Sequence, residues 1–198
     1  MSASHTSGAK LRGFLQTEKE QWLPIHQELI RQGRKTAWYL YRVRYPEGID
    51  KKYDYVRFDV FTDWKQVEAP YRDLAAVVAK VHPRLKSDEL IAHRAASGTI
   101  VWEQLHQVID EAVTTKVPSQ YIIVNEVLTV PGAEREYVTT ETTYFKPFHA
   151  ERVNQGLMNN WSLYKPSLPY GTNYDHDYVT LNGFKSWDDI TRNPPPVL

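Results

Sequence analysis

Residues 24–64 read PIHQELIRQGRKTAWYLYRVRYPEGIDKKYDYVRFDVFTDW, and residues 147–187 repeat their pattern as PFHAERVNQGLMNNWSLYKPSLPYGTNYDHDYVTLNGFKSW. The two segments align without a gap at an offset of 123 residues, and 15 of the 41 aligned positions are identical. The identities lie at Pro24, His26, Glu28, Gln32, Gly33, Trp38, Leu40, Tyr41, Pro46, Gly48, Asp54, Tyr55, Val56, Phe61 and Trp64. We call two positions that are 123 residues apart matching positions. Such a repeat predicts one supersecondary unit per segment, with the two units packed about a pseudo-twofold axis.

Each segment is predicted to form a helix, a glycine stop, two strands joined by a turn, and a short final helix. Apolar residues recur at three-to-four spacing before Gly33 and Gly156, which occupy the position where glycine commonly ends a helix. Pro24 and Pro147 lie inside these helices and predict a kink in each, because proline removes a backbone hydrogen bond. The predicted strands are residues 36–45, 53–61, 159–168 and 176–184, and turns are expected at residues 46–48 and 169–171.

The sequence before the second helix differs from the sequence before the first. Residues 120–130 read QYIIVNEVLTV and have the composition of a strand. The positions that match the core of this stretch lie at or before residue 7, where the chain reads MSASHTS and lacks that composition. We therefore expect the first segment to lack its opening strand. A chain that starts late, such as an exported precursor trimmed of its leader, would explain this difference.

Residues 69–118 connect the two segments and are predicted to be helical, with helices over 71–81 and 90–113 and a break near Gly98. The predicted organisation is a first repeat at residues 1–68, a helical linker at 69–118, a second repeat at 119–192 and a proline-rich tail at 193–198.

Composition excludes several classes of function. Lysine plus arginine total 24 and so do aspartate plus glutamate, so no net field favours nucleic acid or an anionic membrane surface. The absence of cysteine excludes disulfides, thiolate nucleophiles and cysteine-ligated metals. No apolar run reaches the ~20 residues of a membrane span, and the first ten residues do not resemble a signal peptide. The compartment is left open.

The order strand, helix, strand, strand, helix is that of a ferredoxin-like unit. The motifs P-x-H-x-E, Q-G, W-x-L-Y, Y-D-Y-V (residues 53–56) and F-x-x-W resemble those of tandem members of the dimeric α/β-barrel superfamily, which includes antibiotic-biosynthesis monooxygenase-like and NIPSNAP-like domains. The likeness is nearest to bacterial members without an assigned activity, so no catalytic residue is carried over. The resemblance implies an α+β fold in which two ferredoxin-like repeats pack sheet to sheet as an intramolecular α/β barrel. It also implies cofactor-independent oxidation or isomerisation as the class of reaction.

His26 and His149 are the candidate catalytic residues. His26 lies within about 40° of Trp22 on a helical wheel, so it faces inward with the apolar stripe, and His149 relates to Phe145 in the same way. An inward histidine can serve as a general base, a proton donor or a haem ligand. It can equally be a core residue that the fold retains in both segments, and its presence in both favours this structural role.

The candidate ligand-binding residues are Trp161, Tyr164, Asp177 and Arg152. Arg152 matches Leu29, and such differences between the segments suggest that a site is confined to one of them, with the second slightly favoured. No metal site is predicted, because His26 and Glu28 are two residues apart on a helix and point in roughly opposite directions. No cofactor is predicted, although haem is not excluded.

Two hypotheses follow for the whole chain. The first is a protein, monomeric or homodimeric, that binds a small apolar or aromatic ligand in a pocket between helix and sheet, with His26 or His149 moving a proton. The second is a non-catalytic structural or binding module whose repeated histidines, tryptophans and tyrosines serve only the fold.

Overall fold

The computed structural model describes residues 1–6, 11–46, 51–113, 118–169 and 175–192. These residues form two compact units, Met1–Glu103 and Gln104–Leu198. Each unit contains one four-stranded antiparallel sheet with helices, so the protein is of the α+β class.

The first unit contains four strands and five α-helices, with one π-helix between the first two. In chain order they are β1 (Ser2–His5), α1 (Leu11–Gln16), π1 (Thr17–Trp22), α2 (Leu23–Arg31), β2 (Ala37–Arg42), β3 (Tyr55–Val60), α3 (Trp64–Glu68), α4 (Leu74–Val81), α5 (Ser87–Ser97) and β4 (Thr99–Glu103). The sheet order is β2-β3-β1-β4.

The second unit begins with two strands. Its elements are β5 (Leu105–Val113), β6 (Tyr121–Val127), α6 (Glu134–Thr140), π2 (Glu141–Phe145), α7 (Lys146–Asn154), β7 (Asn160–Leu168), β8 (Tyr178–Phe184) and α8 (Trp187–Arg192). The sheet order is β5-β7-β8-β6, so the three strands β7-β8-β6 have the same arrangement as β2-β3-β1. The remaining strand differs: β4 pairs with β1 at one edge of the first sheet, whereas β5 pairs with β7, the counterpart of β2, at the other edge of the second. Over the described residues both sheets are open, and the closed barrel expected from the sequence stays a prediction.

The prediction that the first segment lacks an opening strand was wrong. Ser2–His5 forms β1, which pairs with β3 on one side and β4 on the other. Ser2 lies opposite Arg57, and at the matching positions Asn125 lies opposite Thr180. The residues of β1 are small and polar and have little intrinsic preference for a strand, so the pairing with both neighbours decides their conformation.

The linker is only partly helical. The structure confirms helices α4 and α5 and the break at Gly98, but residues 99–103 and 105–113 are strands rather than the predicted continuation of a helix. Both strands are rich in β-branched residues, and each pairs along a sheet edge. Most of the predicted turns at 46–48 and 169–171, and the tail at 193–198, lie outside the described residues.

The consecutive elements α1, π1 and α2 form one long helix, and α6, π2 and α7 form another. Each of these helices contains its π-helical stretch just before the proline that is expected to kink it. π1 ends at Trp22, before Pro24, and π2 ends at Phe145, before Pro147. A proline lacks the N–H that would bond to the carbonyl four residues earlier, and a local π turn is one way in which a helix accommodates that loss. The helices end as predicted, with Gly33 and Gly156 in the left-handed region at φ 69° and 72°.

In each unit, one aromatic side chain of a helix packs against an aromatic side chain of the sheet. Phe14 stacks on Tyr55 in the first unit, with ring centroids 4.8 Å apart, and the matching Tyr137 contacts Tyr178 at 5.0 Å in the second. Alternation along β3 therefore directs Tyr55, Arg57 and Asp59 towards the helices, and along β8 it directs Tyr178, Thr180 and Asn182 the same way. Among the described residues, no helix is long and apolar enough to cross a membrane.

Candidate functional site

Both candidate histidines stack on a tryptophan of the sheet. The ring of His26 lies 4.5 Å from that of Trp38 with an interplanar angle of 15°, and His149 lies 5.7 Å from Trp161 at 12°. His26 is fully buried and His149 is 6 % exposed. The inward orientation predicted from the helical pattern is thus confirmed for both histidines.

In the first unit, one buried ammonium group binds His26. Lys35 Nζ donates a hydrogen bond to His26 Nδ1 over 3.1 Å and another to the Tyr71 hydroxyl over 3.1 Å, and it also contacts Asp59. The Lys35 side chain has no exposed surface, while that of Asp59 is 22 % exposed. We call these four residues the lysine hub. Because an ammonium group can only donate, His26 Nδ1 is an acceptor and the ring proton resides on Nε2.

Electrostatics keep His26 neutral. Burial lowers its pKa strongly, and the positive charge of Lys35 lowers it further. Burial also lowers the pKa of Lys35, whereas the carboxylate of Asp59 acts in the opposite direction. The hub is an internal ion pair with a neutral imidazole beside it, an arrangement typical of a structural role.

The matching positions in the second unit lack the ammonium group. Met158 stands in place of Lys35 and Asn182 in place of Asp59, and the position that matches Tyr71 lies outside the described residues. Met158 and Asn182 are 2 % and 5 % exposed. His149 Nδ1 and Asn182 Oδ1 have no hydrogen-bond partner within the described part of the chain. Buried polar atoms normally have one, and His26 Nε2 in the first unit is another buried atom without a partner in that part of the chain.

The strand register places Asn182 beside the tryptophan on which His149 stacks. Asn182 lies directly opposite Trp161, on which His149 stacks, as Asp59 lies opposite Trp38 in the first unit. Directly opposite residues have Cβ atoms about 5 Å apart. We call His149 Nδ1 and Asn182 Oδ1 the acceptor pair.

A second difference concerns the glutamates of the π-helices. Glu18 is fully buried and accepts hydrogen bonds from Arg94 Nε over 2.7 Å and from a second Arg94 nitrogen over 3.1 Å. Arg57 lies 3.6 Å from the same carboxylate, and the guanidinium group of Arg94 lies 3.9 Å from the centroid of the Trp22 ring. The carboxylate of Glu18 is therefore neutralised from two sides.

Glu141 matches Glu18 but has a different environment. The position of Arg57 is taken by Thr180, whose hydroxyl accepts a hydrogen bond from Asn125 over 3.0 Å. Burial raises the pKa of Glu141, and the hydroxyl of Tyr137 opposes that shift. The interior of the first unit thus pairs its charges, whereas the second replaces three of them with the neutral residues Met158, Asn182 and Thr180.

Arg152 lies one turn from His149 on α7 and is 6 % exposed. Its guanidinium group lies 5.6 Å from the centroid of the Phe148 ring. Burial lowers the pKa of His149 to about 4, and the charge of Arg152 contributes to this shift. His149 is therefore a neutral imidazole at neutral pH, the form that accepts a proton.

Tyr164 and Asp177 lie away from His149. Tyr164 is three positions after Trp161 on β7 and points to the other face of the sheet. Asp177 accepts hydrogen bonds from the backbone N–H of Thr129 over 2.8 Å and from its hydroxyl over 2.7 Å. Asp54 accepts from the backbone N–H of Thr6 over 2.8 Å in the same way. Of the six candidate residues, the structure brings together His149, Trp161 and Arg152.

Two residues of this region were missed in the sequence: Met158 and Asn182. The signal was present, because both stand where the first segment has a charged residue. Glu141 is identical to Glu18, and only the loss of its arginine neighbour distinguishes its environment. Within the described residues, no group of three histidine or carboxylate side chains could hold a metal ion.

A scan against protein-family models finds no match to the chain, and neither does a search of curated proteins.

Proposed function

We propose that the second unit binds a small apolar or aromatic molecule and that His149 moves a proton on it. The single observation that carries this proposal is the contrast between the two histidines. Nδ1 of His26 is engaged by Lys35, whereas Nδ1 of His149 has no partner among the described residues. The buried ring of Trp161 provides an aromatic surface beside it, and Arg152 adds positive charge.

The reaction class that fits is cofactor-independent isomerisation or oxygenation. His149, neutral at neutral pH, would remove a proton from the substrate. Return of that proton at another carbon is isomerisation, and reaction of the resulting carbanion with dioxygen is oxygenation. No cofactor is required for either route, and an absorbance scan of the purified protein would reveal haem or flavin if one were bound.

The fold that we propose for this function is the tandem α/β barrel, with two ferredoxin-like repeats packed sheet to sheet in one chain. The matching order of β2-β3-β1 and β7-β8-β6 supports it, as do the 15 identities between the segments. The resulting protein is a monomer or a homodimer with a small-molecule partner.

The proposal is tested by mass spectrometry of ligands that co-purify with the wild-type protein and with His149→Gln. We expect a small molecule with the wild type and its loss from the variant. His26→Gln is the matched control, because the same substitution in the first unit should lower stability and leave the ligand bound. Retention of the ligand by His149→Gln would contradict the proposal.

The alternative is a non-catalytic module, and one observation favours it: both histidines make the same stacking contact with a tryptophan, as residues required only by the fold would. In that case His149→Gln and His26→Gln would both lower stability, and no small molecule would co-purify with the wild type.

A further inference from the structure

We propose that the acceptor pair of the second unit recognises a hydroxyl group, so that the ligand is an alcohol or a phenol. This inference rests on the proposed function, since it names the chemical class of the molecule bound beside His149. The hydroxyl group would occupy the place that Lys35 Nζ holds in the first unit.

The lysine hub shows what this position requires. One nitrogen atom, Lys35 Nζ, binds both His26 Nδ1 and Asp59. Their matches, His149 Nδ1 and Asn182 Oδ1, are buried without a partner in the described residues. A buried polar group left without a hydrogen bond costs roughly 1–3 kcal/mol. A ligand hydroxyl placed beside the two groups would donate to one of them and remove its cost.

Met158 does not supply the hydrogen-bond donor that Lys35 supplies in the first unit. Its side chain belongs to the apolar core of the second unit, together with Trp161 and Val153. It is one atom shorter than lysine and ends in a methyl group, so it reaches less far and offers no hydrogen-bond donor.

Charge decides between a hydroxyl and an ammonium group. The lysine hub holds a cation because Asp59 neutralises it, and Asn182 carries no charge. Arg152 lies close enough to His149 for its positive charge to act on the imidazole, so a second cation would be repelled. A hydroxyl group is neutral and can donate one hydrogen bond. It can donate to His149 Nδ1 or to Asn182 Oδ1.

The test uses three probes of similar size with the full-length protein at pH 7. Phenol carries the hydroxyl group, toluene replaces it with a methyl group, and benzylamine supplies an ammonium group. Binding is followed by NMR through the indole N–H signal of Trp161, the side-chain amide of Asn182 and the imidazole nitrogens of His149. We expect phenol to bind at least about tenfold more tightly than toluene or benzylamine, which is a difference of about 1.4 kcal/mol, and to shift all three signals.

Two substitutions make the result specific. Asn182→Asp restores the carboxylate of the lysine hub and should reverse the preference, so that benzylamine binds more tightly than phenol. Met158→Lys supplies the ammonium group from within the chain and should abolish binding of phenol, whereas the control Met158→Leu should preserve it. Circular dichroism shows whether each variant is folded. If Met158→Lys does not fold, Asn182→Asp still decides the result.

Several outcomes would overturn the inference. Phenol and toluene could bind equally well, or phenol could bind without shifting the signals of His149 or Asn182. The Asn182→Asp variant could keep the preference of the wild type, or phenol could fail to bind because a water molecule occupies the acceptor pair. Equal binding of phenol and toluene that is lost in His149→Gln would refute the hydroxyl preference and leave the proposed function standing. Absence of both a co-purified ligand and any probe binding would refute both.

Discussion

Lys35 and Met158 occupy matching positions and are both buried, yet they give the two histidines different chemistry. The ammonium group of Lys35 binds the imidazole of His26, whereas the thioether of Met158 cannot. A single residue at each of these positions therefore determines whether the neighbouring histidine is engaged by the fold.

Lys35→Met should destabilise the protein by about 3 kcal/mol, because it leaves the half-buried Asp59 and the buried His26 without the cation that binds them. Met158→Leu is the matched control in the second unit and should cost less than about 1.5 kcal/mol, since it conserves volume and charge. Chemical denaturation of the two variants measures both values. Equal costs would show that the lysine hub contributes no net stability.

The titration of His149 should make stability depend on pH. Its pKa is lowered from 6.5 to about 4 in the folded protein, so between these values the folded state binds fewer protons than the unfolded chain. Stability therefore falls as the pH falls from 6.5 to 4, by at most about 3 kcal/mol. His149→Phe retains a ring on Trp161 but removes the titration, and its stability should fall less over this range. A variant whose pH profile parallels that of the wild type would show that His149 is not responsible.

At the scale of elements, one aspartate in each unit binds a residue shortly after β1 or after β6, the strand that corresponds to β1. Asp54 accepts the N–H of Thr6 after β1, and Asp177 accepts the N–H of Thr129 beyond β6. The hydrogen bonds lower the pKa of Asp177. The identity of Asp54 and Asp177 is explained by this structural role, and Asp177, a candidate ligand-binding residue in the sequence, makes the same contact as its match.

Asp177→Ala should destabilise the second unit by about 2 kcal/mol, because two hydrogen bonds to a charged acceptor are lost. The backbone amide of Thr129 should then exchange its hydrogen faster, which NMR detects. Asp177→Asn retains an acceptor oxygen and should recover part of the stability. Unchanged exchange at Thr129 in Asp177→Ala would contradict this role.

At the scale of the whole molecule, the proposed barrel makes a prediction about cooperativity. Two sheets that share one core should unfold together, so Lys35→Met in the first unit and Asp177→Ala in the second should shift the same single transition. Units that do not share a core would give two transitions, each shifted by one variant only. Urea unfolding followed by tryptophan fluorescence distinguishes the two cases, because each unit contains tryptophans.

The amino-acid sequence alone determined the repeat, the helix ends at Gly33 and Gly156, the strands β2, β3, β6, β7 and β8, and the inward orientation of both histidines. These features depend on residues close together in the chain, where apolar spacing and glycine conformation act directly. Tertiary structure alone decided that Ser2–His5 is a strand, because only pairing with β3 and β4 outweighs its composition. It also decided which histidine is engaged, because Lys35 gathers groups from residues 26, 59 and 71, and no local pattern brings such distant residues to one nitrogen atom.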